Sequence, residues 1–515
     1  MNEGIGEGNS TLPTEAQSSA LRLDTDAKER RMMTQKVMNF AERHLQKVEK
    51  RQVPCFEMKE DKGAGLLECA IEEEPKDLEK LLEIYDEHVL SSGTQDNHGG
   101  YMGFVVGGGV YPAALGDFLG AVTNRLAAGF LNCPGAVRME NMLIDWVARL
   151  FDFPSEAAGN LTSGGSTATV LALMTARHSK QLRGRDFERA VVYMTEMCHA
   201  CVLKALKTIG LAEAVIRKVP MDASFRMDSK VLRQMVGEDK EASLLPFLVA
   251  ATIGTTNVGS VDPIDEIADV AEEYNLWFHV DAAYGGFFVL VDELKDHFKG
   301  VNRADSLIVN PHKSLFLPFG SGMVIVRDGN KLREANASPE QPTYLQDMDG
   351  ECQGKAPRDL SFELCRNFRG LRMWTPLQLY GVGAFRQALK EKIALNRYVY
   401  RRLQEIPDIV VDGFPQLVVL TFHFETGGGI SNEIFNKAVH DKILEDGSFF
   451  LSSTRLREEY RLRICTLHLR CHKEVIDDLC PKEQEKTHVV GVWGCTVGPP
   501  AHGESITTTQ LMSEL

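Results

Sequence analysis

Between Tyr101 and Trp374 the chain alternates short apolar runs with amphipathic stretches. The runs are Ala190–Tyr193, Leu248–Thr252, Trp277–Val280, Ser306–Val309 and Met323–Val326. Each is short and apolar throughout, which predicts strands covered on both faces. Ile264 to Tyr274, after Asp262-Pro263, has helical spacing, and a helix is predicted from Ala168 to about Ser179. Short strands spaced by helices predict a largely parallel, doubly covered sheet. Ahead of it, residues 28–50 set Val37, Phe40, Ala41, Leu45 and Val48 on one stripe among charges. That is an amphipathic helix in need of a partner surface. Behind it, residues 371–395 read as helix, and Leu417–Phe424 and Tyr460–Thr466 as strands of a smaller C-terminal domain. Residues 338–358 break the rhythm with Pro339, Pro342, Gly350, Gly354 and Pro357, the mark of a lid or connector.

A chain of 515 residues exceeds one small core and predicts a large domain with smaller ones beside it. The net charge of −15 makes nucleic acid and anionic membrane poor partners. No stretch stays apolar long enough to span a bilayer, and residues 1–27 lack the pattern of a secretory signal, so cytoplasm is the expected compartment. The 11 cysteines are scattered without framework spacing. Cys198 and Cys201 have redox or metal spacing, and Cys465, His468, Cys471 and His472 lie close together. A second CxxC is missing and the later cluster falls partly in a strand, where ligands diverge, so no metal is expected.

Polar residues follow the runs in a telling way. His199 comes after the first, Gly254-Thr255-Thr256 after the second, Asp281 after the third, and Asn310-Pro311-His312-Lys313 after the fourth. Ligand sites of open α/β sheets lie at the carboxyl ends of strands, so these groups should meet on one rim. Thr162-Ser163-Gly164-Gly165-Ser166-Thr167, opening a helix, adds glycines, hydroxyls and helix-start N–H groups suited to an anion. Each residue alone has an ordinary explanation as a cap, a core histidine or a solvated lysine. Together they suit pyridoxal phosphate, which needs a lysine for its aldehyde, an anion site for its phosphate and an acid at its pyridine nitrogen.

The strings Thr-Ser-Gly-Gly-Ser (162–166), His-Val-Asp-Ala-Ala-Tyr-Gly-Gly (279–286) and Asn-Pro-His-Lys (310–313) resemble the group II pyridoxal-phosphate decarboxylases, from about Tyr101 to Asp477. The family includes aromatic-L-amino-acid, histidine, glutamate and cysteine-sulfinate decarboxylases. The resemblance implies an α/β, fold-type I (aspartate-aminotransferase-like) homodimer. Its large domain would hold a mostly parallel sheet of the seven-stranded type, followed by a small C-terminal α+β domain. The divisions expected are a flexible N-terminus (1–27), a helical segment (28–100), the cofactor-binding domain (101–375), the small domain (376–482) and a tail (483–515). The resemblance assigns Lys313 the covalent attachment, Asp281 the pyridinium and His199 the ring face. Thr256 and Ala283 would line the cofactor, and Gly164, Gly165, Ser166 and Asn310 would sit near its phosphate. His312 is a candidate proton carrier. Arg461 or Arg463 would approach the site from the small domain, unless they form a surface ion pair.

The sequence also departs from the family. The lid tyrosine of the aromatic decarboxylases falls at about Pro357, leaving Tyr344 as the lid's tyrosine, and Ser314 stands where they have tryptophan. The substrate segment His98–Pro112 carries Phe104, Val105 and Val106, less aromatic than usual. The expected reaction is decarboxylation of an aromatic L-amino acid. The alternatives are an acidic substrate, which would need a buried cation such as Arg125, oxidative formation of an aldehyde, transamination, or a non-catalytic family member.

Overall fold

The structure, a computed structural model, describes residues 23–60, 63–337, 355–427 and 431–480. It divides into two compact units, Met1–Gln95 and Asp96–Leu515. In the first, a helix over Ala27–Glu49 starts at Asp26, whose carboxylate accepts from the N–H groups of Lys28 and Glu29. A short antiparallel pair, β1 (Phe56–Glu57) and β2 (Gly93–Thr94), and a helix over Leu78–Tyr85 follow, with a 3-10 turn over Ala64–Glu68 and a π-helical turn over Asp86–Leu90.

The second unit is built on a seven-stranded sheet of β3 (Ala158–Thr162), β4 (Ala190–Met194), β5 (Val215–Lys218), β6 (Leu245–Thr252), β7 (Trp277–Ala282), β8 (Ser306–Val309) and β9 (Gly322–Val326). Its spatial order is β3-β9-β8-β7-β6-β4-β5. β3, β4, β6, β7, β8 and β9 are buried along their whole length or nearly so, because helices cover both faces. Two apolar clusters, one on either face, share the alternate residues of these strands: Val280 and Leu307 belong to one, Trp277 and Ile308 to the other.

One strand departs from the parallel expectation. Met323–Val326 lies in β9, which runs antiparallel to both β3 and β8. Only residues 310–321 join it to β8, and they contain no helix to carry the chain back across the sheet, so the strand returns beside its predecessor. The helix expected over 371–395 is longer, Gly370–Gln404, with Pro376 inside and a break at Gly381 (φ 71°, ψ 157°). A four-stranded antiparallel sheet follows, in the order β10 (Ile409–Val411), β11 (Val419–Phe424), β13 (Glu459–Cys465), β12 (Ser452–Leu456).

Arg366 and Glu140 form a fully buried ion pair. Arg366 also donates to the carbonyls of Ala127 and Leu161 (2.9 and 2.8 Å), while Glu140 accepts from the N–H groups of Arg369 and Gly370 (2.9 and 3.1 Å). The pair thereby ties the start of the long helix to the end of β3. Arg366→Met leaves Glu140 buried without its partner. It is expected to cost about 3–5 kcal/mol of stability, read as a lowered urea midpoint; an unchanged midpoint would show the pair to be dispensable.

Candidate active site

The carboxyl ends of β3, β4, β6, β7 and β8 surround a cavity of about 420 Å³. Its lining includes Gly164, Gly165, Ser166, His199, Thr256, Asp281, Ala283, Asn310, His312 and Lys313, so the structure brings together every residue expected at the cofactor. Phe104, Val105 and Val106 are not among its lining residues. Phe104 is exposed and packs on Tyr101 and Phe450, with ring centroids 6.4 and 5.5 Å apart, and the two valines are buried in the core. What the segment brings to the turn bearing Lys313 is backbone. A side chain at Gly107 would meet the Lys313 carbonyl at 2.6 Å and Phe316 Cα at 2.7 Å. Tyr344 lies outside the described residues. Pro357, at the family's tyrosine place, is buried and has no proton to give; its carbonyl accepts from Asn160 at 2.9 Å.

The anion cradle forms where β3 hands over to a helix that begins at Gly165, three residues earlier than expected. The first-turn N–H groups of that helix have no partner within it and present partial positive charge. A side chain at Gly165 would strike Asn310 at 2.8 Å, so glycine is what lets the two segments meet. Ser163 and Thr167 join hydroxyls at 3.0 Å across the turn.

Asp281 is 5% exposed. One of its oxygens, Oδ1, accepts from the Ala283 N–H at 3.0 Å. Lys313 sits in a turn closed by its own N–H to the Asn310 carbonyl (2.9 Å). Burial lowers the proton affinity of its amine, against the opposing pull of Asp281. Burial also pushes His312 down to about 4 and lowers His199, so His312 is neutral at pH 7. Ser314 turns away from the cavity and donates to the Tyr284 carbonyl at 2.7 Å.

Arg461 and Arg463 have different fates. Arg461 pairs with Asp412 and Glu459 (3.1 and 2.6 Å). Arg463, 3% exposed, donates from Nε to the carbonyl of Thr256 in the cavity wall (2.8 Å) and from Nη1 to Gly103 and Ser452. Its Nη2 has no hydrogen-bond partner among the described residues. Arg125 is exposed and is not the buried cation that an acidic substrate would need. The sequence reading gave no site role to Cys201, Thr252 or Tyr284, which also line the cavity. Thr252 had a readable signal, as the last residue of β6; Cys201 had one in its place two residues after His199. The buried oxygens Thr252 Oγ1 and Asn310 Oδ1 have no hydrogen-bond partner among the described residues. Orphaned polar atoms, an anion cradle, a buried carboxylate and a half-buried lysine in one cavity fit pyridoxal phosphate.

The fold and the cavity define a fold-type I enzyme of the pyridoxal-phosphate class. Residues 58–423 match the family model described as the pyridoxal-dependent decarboxylase conserved domain. The chain belongs to that family and is a pyridoxal-phosphate-dependent amino-acid carboxy-lyase. It is 33% identical over 410 residues to an aromatic-L-amino-acid decarboxylase of Bacillus atrophaeus, covering 79% of this chain and 84% of that one. A phenylacetaldehyde synthase of Petunia hybrida is 26% identical, covering 76% and 81% of the two chains. Among solved structures, Oryza sativa TDC with PLP and tryptamine matches with a TM-score of 0.81 at 23% identity, over 88% of this chain and 99% of that one. Mouse CSAD matches at 0.79 and 22%, over 88% and 98%. Among the described residues no helix is long and apolar enough to cross a membrane.

Proposed function

We propose that this cavity decarboxylates an aromatic L-amino acid to its amine, with Lys313 as the covalent attachment for the cofactor. The observation that carries the reading is the meeting of Lys313, the buried Asp281 and the cradle of Gly164, Gly165 and Ser166 in one cavity. When bound, pyridoxal phosphate supplies a conjugated ring that withdraws electrons from the substrate Cα. Lys313, its proton affinity lowered by burial, has more of its amine in the neutral, nucleophilic form. Asp281 holds a proton on the pyridine nitrogen through its own negative charge. His199 would lie against the ring face, Thr256 and Ala283 would line the ring, and Asn310 would join the cradle in receiving the phosphate. His312, neutral at pH 7, is the candidate proton carrier, and either Tyr344 or another donor would return a proton to Cα. Met32, Met33, Val37 and Met38, exposed along the first helix, support a homodimer in which that helix covers a partner.

The aromatic substrate is supported by the relative from Bacillus atrophaeus, which is named for that activity. Arg463 favours a second reading, an acidic amino acid, because a buried guanidinium with no carboxylate partner among the described residues draws an anion. Carbon dioxide release should be measured across phenylalanine, tyrosine, tryptophan, glutamate and cysteine sulfinate. The aromatic substrates are expected to turn over; release confined to the two acids would replace the first reading with the second. Hydrogen peroxide and ammonia appearing with the carbon dioxide would replace amine by aldehyde as the product.

A further inference from the structure

Asp281 has two carboxylate oxygens, and they are held differently. Oδ1 takes the Ala283 N–H, while the contact at Oδ2 is the thiol of Cys201, with sulfur 3.9 Å away. Cys201 is 5% exposed and lines the cavity as the first residue of the helix Cys201–Thr208. The Thr169 hydroxyl, 3.6 Å from the same sulfur, belongs to the helix whose start forms the anion cradle. Through its backbone, Cys201 donates its N–H to His199 Nδ1 at 3.2 Å. One residue therefore touches the carboxylate, the ring-face histidine and the cradle helix. Thr252 pairs with Asp281 in the register of β6 and β7, but its hydroxyl has no hydrogen-bond partner among the described residues, which leaves the thiol as the engaged side-chain donor there.

We propose that Cys201 is a positioning residue for the reaction: its thiol fixes the free oxygen of Asp281 so that the carboxylate meets the pyridine nitrogen in a single orientation. This rests on the reading of Asp281 and His199 as cofactor contacts. Burial, aided by the charge of Asp281, pushes the thiol up to about 12, so it remains a donor throughout the neutral range. A buried carboxylate with one oxygen unheld can rotate, and rotation moves the charge away from the atom it serves.

The test uses the full chain loaded with pyridoxal phosphate, read by cofactor dissociation constant and by the visible absorption of the bound cofactor. Cys201→Ala removes the donor, Cys201→Val removes it while filling the space, and Cys201→Ser keeps one. The alanine and valine variants are expected to bind the cofactor about fivefold more weakly, the loss of a modest hydrogen bond to a charged group, and to shift its absorption. The serine variant should stay within about twofold of wild type. Valine matching wild type would reduce Cys201 to a space filler and overturn the proposal, as would alanine leaving both readouts unchanged. Should alanine fail to fold, valine and serine still separate donor from filler. A wild-type chain that stays colourless with the cofactor overturns the reading of the cavity and this inference with it. A coloured wild type with indifferent variants overturns this inference alone.

Discussion

Lys313→Ala is expected to lower kcat by at least about 10³-fold, a loss of about 4 kcal/mol of transition-state stabilisation. Among the described residues the lysine is the one primary amine lining the cavity, so no described neighbour can take over the attachment. Its burial works in the same direction, because a desolvated amine gives up its proton more readily and a neutral amine is the nucleophile. Borohydride reduction of the loaded wild type followed by peptide mass mapping should find the adduct on Lys313 and none in the variant. An adduct at any other lysine would transfer the role elsewhere.

Asp281→Ala ranks second, with an expected loss of about 10²- to 10³-fold, the range for removing a preorganised electrostatic partner. The carboxylate is buried, so water cannot replace its charge at close range. Asp281→Asn preserves shape without charge and should lose nearly as much, which separates electrostatics from packing. If asparagine retained most of the activity, the role given to the charge would be wrong.

Five of the seven strands were legible because burial on both faces makes them unbroken apolar runs, from Ala190 to Val326; β3, with polar Asn160 and Thr162, and the part-exposed β5 were not. The direction of β9 was not, since an apolar run carries no sign of which way it points. The break at Gly381 was equally silent: a glycine within a helical pattern fits an intact helix as well as a kinked one. The candidate site was legible where its residues lie near or just beyond the carboxyl end of a strand, as His199, Asp281 and Asn310 to Lys313 do. Arg463 was legible only as one of two alternatives, and Cys201 only by its place near His199, because their contacts to Thr256 and Asp281 cross long stretches of chain. Phe104 misled for a related reason. The backbone of its segment borders the lysine turn, but the ring packs on Phe450, from a distant part of the sequence.

The reversed course of β9 means that the turn bearing Lys313 is sewn into the middle of the sheet at both of its ends, to β8 on one side and β9 on the other. The backbone that carries Lys313 is thus a stationary point, as firmly placed as the core itself. Divergence in substrate or product among proteins built this way has to arise in segments fastened at fewer points, while the chemistry at the tether stays the same.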